Sequence, residues 1–532
     1  MRYLFVLIFI IQSINPVFSQ NPIESWSYTN SHPGNKELFR DYPGFTPQLS
    51  GAAQNKRIPT NDWWSLLLKE NHVNNLFNYP FTMRTTSTGL GITYVAKGVV
   101  GDKQTLAIGV QNLNASKATV EDHTDWTVKI AWTDNTRNFS VTSGIGMPFL
   151  YFTKGNNDVA RVEVKAGTAT VSNEMILIKD TQEGVDYAVY APTGSTWTKN
   201  GSVYTSTLNG KNYWSAAMLP QSNSNPSQLA NTYKKFAYVF PADTKVSWNF
   251  NESTSVVRTT FQITPDVKEG SNNTILQGLL PHQWDNLATD SPQPDRETYD
   301  NVRGNIKMLD GNEFYVENTF YGVLPTLPYL ANYSASFNPS SLGSKIDLLE
   351  NDNLNSWQDS YNQGQLMNRL IQTARIAHKI GDIDARDKLK NAVKERLEDW
   401  LSYESGEINY LFYYNNTWTT LLGYPAGHGQ DHNINDHHFH WGYFIHAAAF
   451  MEQFEPGWAN QWGGMIDLLV RDAASSNRAD DKFPFLRNFS PYAGHAWANG
   501  FATFPNGNDQ ESTSESMQFN LSLIHISEPT RR

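Results

Sequence analysis

The sequence predicts a multidomain chain of α and β type: an N-terminal antiparallel β-sandwich, a small α/β connecting segment and a C-terminal array of paired helices. Three observations predict it. Short period-two runs between turn clusters fill the first half, a helical period takes over after residue 342, and the helices are separated by long loops rich in Gly, Asn, His and Pro. Period two marks half-buried strands, whereas apolar residues recurring every three or four mark helices with one buried face.

Residues 1–20 open the chain with Arg2 and an unbroken apolar run over residues 4–11, and Val17-Phe18-Ser19 precede Gln20. That is the pattern of a secretory signal, so residues 1–19 are expected to be a signal peptide. The run is too short to cross a bilayer, so no stable membrane insertion is expected. The exported product would be extracellular, periplasmic or at the cell surface. With no cysteine, it must be held by its core and not by disulfides.

Residues 21–265 are assigned to the sandwich. Trp126, Val128, Ile130 and Trp132 alternate with polar neighbours, and so do Val257, Thr259, Phe261 and Ile263, as many short antiparallel strands require. Residues 266–341 read as a small linking domain, with strands and loops around residues 279–283 and 304–315 and with Pro325 and Pro328 at its exit. Residues 342–520 are the helical domain. Leu366, Leu370, Ala374 and Ala377 form one apolar stripe, Gly381-Asp382 break it, and Ala385, Leu389, Ala392, Val393 and Trp400 resume it. That is a helical hairpin. Further helices are expected over residues 444–454 and 462–473, and paired helices with long loops on one side suit an α/α toroid. Residues 521–532 (LSLIHISEPTRR) continue no helical pattern and resemble a translated sequencing adaptor, so they are expected to be a non-native tail.

Over 532 residues the net charge is −11 and only 17% of residues are charged, which argues against a nucleic-acid partner. Aromatic content of 13% suits a protein that stacks on sugar rings, although most of those rings are expected in the core.

Two stretches carry the chemistry. Residues 435–444 hold Asp436, three imidazoles and four aromatic rings, and residues 508–515 place Glu511 and Glu515 four apart. On a helix those two glutamates would share a face. Carboxylates from two sources amid aromatic surfaces are what acid/base cleavage of a glycosidic bond needs. Blander readings stand beside this one: Asp436 as a helix N-cap, and the glutamates as a solvated helix face. His432, His437, His438 and His440 with Asp431 and Asp436 also invite a metal reading. Adjacent imidazoles point apart on any regular element and HExxH is absent, so neither metal nor cofactor is expected.

The segments PTNDWW (59–64), GMPF (146–149), LLPHQ (279–283), INDHHFHWGYF (434–444), FPFLRNFSPYAGHAWA (483–498) and NDQESTSESM (508–517) resemble glycoside hydrolase family 81, the endo-β-1,3-glucanases. The resemblance covers about residues 59–520, with Trp441 where the family motif NDHHFHYGY has a tyrosine. It implies that the helical domain is an (α/α)6 barrel, here truncated. It also implies an inverting enzyme in which Asp436 is the general acid and Glu511, the first glutamate of an ESSSE-like motif, the general base. Glu515 would hold the water, hold the sugar or tune Glu511. His438, His440, Trp441, Tyr443, Tyr492, His495 and Trp497 are candidate sugar-binding residues, with Asp359 and Tyr361 at a cleft-facing position. Phe489 is expected to be core instead, Arg487 and Asn488 to order the loop or contact sugar, and residues 61–64 and 144–149 read as packing. The implied substrate is β-1,3-glucan and a monomer is expected. A non-catalytic glucan-binding protein and a polysaccharide lyase are the rival readings.

Overall fold

The computed structural model describes residues 27–33, 44–95, 104–220, 225–323 and 334–527. The expected signal peptide and residues 528–532 lie outside the described residues.

Two large antiparallel sheets dominate the first half. One has seven strands, running in spatial order Leu76–Phe77, Thr82–Thr86, Gly89–Thr93, Leu106–Val110, Ala160–Val164, Val203–Ser206 and Thr198–Asn200. The other has eight, in the order Thr168–Ser172, Met175–Lys179, Val185–Tyr190, Tyr213–Pro220, Phe149–Lys154, Asn138–Gly144, Thr127–Thr133 and Ala118–His123. The alternation expected around Trp126 is physical: Val128, Ile130 and Trp132 are fully buried while Lys129 and Ala131 between them are partly open. Inward residues of both sheets belong to one apolar core, the usual way for two half-apolar sheets to hide their faces.

A long hairpin, Val239–Asn251 with Val256–Val267, follows. The division expected between residues 265 and 266 falls inside its second strand. That strand pairs in turn with Glu313–Thr319, so one continuous hydrogen-bonded ladder joins the two segments. A second small sheet, Leu276–Leu279, Ile306–Asp310 and Thr298–Tyr299, completes the connecting region.

Helices take over at α1 (Pro339–Asp347), followed by α2 (Ser360–Ile380), α3 (Ile383–Trp400), α4 (His437–Phe454), α5 (Ala459–Ala474) and α6 (Thr513–Ser527). Gly381 ends α2 at φ 84°, a left-handed turn that glycine takes without strain, and the Asp382 side chain caps α3 by accepting from the Ala385 amide. Helix α4 is buried on all sides from His437 to Met451, as a central helix must be. Gly364 lets α2 approach it, since a Cβ there would sit 2.6 Å from the Tyr443 Cβ.

Residues 521–527 are helical, where the sequence showed no helical pattern. They continue α6, because Phe519 and Leu523, one helical turn apart, both enter the helical core. Among the described residues no helix is long and apolar enough to cross a membrane.

Candidate active site

The first turns of α2, α4 and α6 meet at one place. Ser360 Oγ of α2 lies 2.8 Å from His440 Nδ1 of α4, and His438 Nε2 lies 2.9 Å from Ser516 Oγ of α6. Three helix N-termini therefore turn their positive dipole ends toward a group of carboxylates.

Asp436 stands at the N-cap position of α4 but does not cap it. Its backbone is left-handed at φ 58°, and its side chain accepts no helical amide hydrogen. The Asp436 carboxyl instead takes a hydrogen bond from Asn435 and lies beside Glu511. The Asp436 Oδ1 is left without a bond of ordinary length, yet the two carboxyls are close enough for each to bear on the other's proton. Burial, then the charge of Glu511, pushes Asp436 up to about 7. Glu511 is also raised, first by burial of its carboxyl end and then by Asp509 and Glu515, although the residue as a whole is exposed.

Glu511 precedes α6, with left-handed φ 52°, and Ser512 caps the helix through Glu515 N, 3.3 Å away. The expected shared helix face is thus corrected: Glu511 lies in the loop and only Glu515 is helical. Glu515 Oε1 accepts from the hydroxyls of Tyr361 (2.7 Å) and Tyr443 (2.9 Å). One backbone unit ties the two loops together. The Asp436 amide donates to the Ala498 carbonyl and the Ala498 amide to the Asp509 carbonyl, both at 2.9 Å, while Asn61 Nδ2 donates to the same Ala498 oxygen at 3.0 Å.

This constellation sits in a chain with close relatives. It is 34% identical over 95% of its length to a glucan endo-1,3-beta-D-glucosidase of Thermobifida fusca, and covers 67% of that protein. The chain belongs to glycoside hydrolase family 81. Residues 343–528 match the model of the family 81 C-terminal domain. A glucan endo-1,3-beta-D-glucosidase of Acetivibrio thermocellus is 36% identical over 91% of this chain. A family 81 structure from Clostridium thermocellum superposes with a TM-score of 0.86 at 33% identity, over 95% of this chain and 70% of that one. The chain spans about two thirds of the length of the two curated relatives (67% and 63%).

Several residues expected to touch sugar in this family 81 chain are interior instead. Trp441 is fully buried, donates from Nε1 to Asp472 at 3.1 Å and packs on Phe412 and Phe444. Tyr492 is fully buried in the sheet core, donates to the Gly278 carbonyl and packs tilted against Trp126, ring centroids 5.1 Å apart. Phe489 is core, as expected. A fully buried ring offers sugar no face. His438 and His440 are buried and held neutral, His438 down to about 3, by burial and then by neighbouring imidazoles. Their contacts brace the helices that carry the carboxylates. His495 and Trp497 pack on each other and on Arg303, with no direct contact to Asp436, Glu511 or Glu515 among the described residues. Tyr361 and Tyr443 do reach the site, through Glu515, and Asp359 caps α2 by accepting from the Tyr361 and Asn362 amides.

The imidazoles of residues 437, 438 and 440 diverge toward Thr420, Ser516 and Ser360. Among the described residues no group of three His, Cys, Asp or Glu is arranged to hold a metal ion. Arg487 does order its loop, as one of its two expected roles had it. It is wholly enclosed and paired with Asp472 at 3.1 Å, donating also to the Thr60 hydroxyl and the Thr419 carbonyl.

Sequence reasoning missed Ala498, Asp472 and the bond from Asn435 to Asp436. Ala498 acts through its backbone, which leaves no mark on residue type, and Asp472 looks like any acidic residue on a helix. A cavity of about 490 Å³, lined by Arg57, Asp62, His123, Arg478 and Trp497 among others, lies apart from the three carboxylates.

Proposed function

We propose that this family 81 chain is an endo-acting, inverting β-1,3-glucanase, with Asp436 as general acid and Glu511 as general base. One observation carries the assignment. Two carboxyls from different elements face each other, the enclosed Asp436 holding its proton to about 7 and the more open Glu511 facing solvent. Pairs of carboxyls whose environments differ in this way divide acid and base roles. The relatives named as glucan endo-1,3-beta-D-glucosidases support the substrate. The finer architecture proposed is a β-sandwich beside an incomplete (α/α)6 barrel, the exported product acting as a monomer.

In this reading Asp436 gives its proton to the departing glycosidic oxygen as the bond to the anomeric carbon breaks. Glu511 takes a proton from the water that forms the new bond on the opposite ring face. Glu515, fixed by two tyrosyl hydroxyls, steadies the water or the sugar.

Proton NMR of fresh product from linear β-1,3-glucan tests the stereochemistry: newly released reducing ends should be α-anomers, and initial β-anomers would overturn the single displacement. The pH dependence has a defined sign. A general acid works only while protonated, so kcat/KM should fall as pH rises through about 7. On the acid side it should fall as Glu511 takes up a proton, at a pH above the ordinary glutamate range because Glu511 is raised. A profile flat between pH 6 and 9 would contradict the assignment of Asp436.

A further inference from the structure

Asn61 has no part in the mechanism above, and residues 61–64 read from the sequence as packing. The structure gives it a more particular place. It is buried, with 1% of its surface exposed, and its backbone is left-handed at φ 62°, a conformation asparagine accepts more readily than most residues. The segment around it grips one loop in three places. Asn61 Nδ2 donates to the Ala498 carbonyl at 3.0 Å, the Asn61 amide donates to the Gly500 carbonyl at 2.8 Å, and the Asp62 carbonyl accepts from Asn508 Nδ2 at 3.3 Å. The Thr60 hydroxyl donates to Asn61 Oδ1 at 2.8 Å and is itself held by Arg487 at 2.9 Å, so the side-chain amide is fixed with its nitrogen toward Ala498.

Each gripped atom leads to a carboxyl. The Ala498 carbonyl also accepts the Asp436 amide at 2.9 Å, so Asp436 and Asn61 together fill its two lone pairs. The Ala498 amide donates to the Asp509 carbonyl at 2.9 Å, and Asn508 Oδ1 accepts the Asp509 amide at 2.9 Å, two residues ahead of Glu511. Gly500 presses on the chain that enters Asp436: a Cβ there would stand 1.9 Å from the Asn433 carbonyl oxygen.

We propose that Asn61 is a positioning residue for Asp436 and Glu511: its side-chain amide fixes Ala498, and Ala498 sets the turn bearing Asp436 against the loop bearing Glu511. The inference deepens the acid/base reading and rests on it. Ala498 lies outside any helix or strand, so no regular ladder holds its carbonyl in place, and its methyl side chain offers no polar grip. Asn61 supplies the missing support. A displacement of about 1 Å between reacting groups can cost about 10²-fold in rate, so a spacer between acid and base must be held firmly. The charges bearing on Asp436 are those of Glu511, Asp509 and Glu515, all within residues 509–515. A residue from the sheet-rich half of the chain thus completes a site otherwise built on α2, α4 and α6.

The test uses the full chain carrying Asn61→Gly. Glycine takes the left-handed backbone without strain and keeps the amide bond to Gly500, so only the side-chain links to Ala498 and Thr60 are lost. Hydrolysis of a soluble β-1,3-gluco-oligosaccharide should lose tenfold or more in kcat, with KM changed less than twofold. Asp436 should become better hydrated as the loop slackens, so the alkaline limb of the kcat/KM profile, near pH 7 in the wild type, should move down by half a pH unit or more. The Asp436 carboxyl, labelled with carbon-13 and assigned with Asp436→Asn, should titrate lower by a similar amount. A folded variant with an unmoved Asp436 midpoint would overturn the proposal. So would a lower melting temperature with kcat and the alkaline limb unchanged, which would make Asn61 a plain structural contact. If Asn61→Gly does not fold, Thr60→Val takes its place. It leaves Asn61 intact but releases its Oδ1, and it should move both readouts in the same direction; unmoved readouts there would overturn the proposal as well. A wild type that releases no product would count against the glucanase reading alone, because the labelled carboxyl still decides this one.

Discussion

Asp436→Asn should lower kcat on β-1,3-glucan by about 10²–10⁴-fold, the usual contribution of a general acid, while leaving the fold intact or firmer. The two halves of that expectation have one cause. The carboxyl is buried against other acids and raised to about 7, so its folded state holds a proton that an unfolded aspartate releases near pH 4. A group raised in this way contributes stability fully below the unfolded value, and that contribution is lost as pH rises through the folded one. At pH 8 the wild type therefore carries an unfavourable buried charge that asparagine does not. Asparagine also accepts the left-handed backbone at this position. Glu511→Gln should lose activity on a similar scale. Reducing-end release and thermal melts at pH 8, run side by side, check both halves. An Asp436→Asn protein that is inactive and markedly less stable would mean that Asp436 serves structure, as an N-cap would, and not chemistry.

The second large effect is on stability. Asp472 of α5 sits fully buried at the centre of a network behind the site. It meets Arg487 at 3.1 Å, His437 at 3.2 Å, the Leu421 amide at 3.0 Å and the Trp441 indole at 3.1 Å. Although burial opposes it, Arg487 and His437 hold this carboxyl below its ordinary range. The network joins α4, α5, the hairpin Leu411–Asn415 with Thr420–Tyr424, and the loop after α5. Asp472→Ala leaves the Arg487 guanidinium buried without its anion, which costs about 3–5 kcal/mol. Chemical denaturation followed by tryptophan fluorescence measures it. The double variant Asp472→Leu with Arg487→Met should be the more stable of the two, since it removes both charges together. A single variant costing less than about 1 kcal/mol would show that the pair behaves like a surface one.

Sequence by itself determined most of the element types of this chain and pointed to its three candidate carboxylates. Alternation at Val128, Ile130 and Trp132 and the stripe from Leu366 to Ala377 are local consequences of strand and helix geometry. The stop at Gly381-Asp382 follows from the same kind of rule, because a left-handed residue and a capping carboxyl act within one turn. Family motifs then singled out Asp436, Glu511 and Glu515. What period and motif do not encode is which long-range partner a side chain meets. Trp441 and Tyr361 are both aromatic residues close to the candidate carboxylates, yet one is sealed beneath Asp472 and the other points its hydroxyl at Glu515. Asp436 reads as a cap until its backbone turns left-handed, and Glu511 reads as helical until the helix begins two residues later. Those outcomes depend on Ala498 bridging two loops and on Asn61 reaching it from 437 residues away in sequence. Only packing of the sheet core against the helical core brings such groups together, so only the tertiary structure decided which residues surround Asp436 and Glu511.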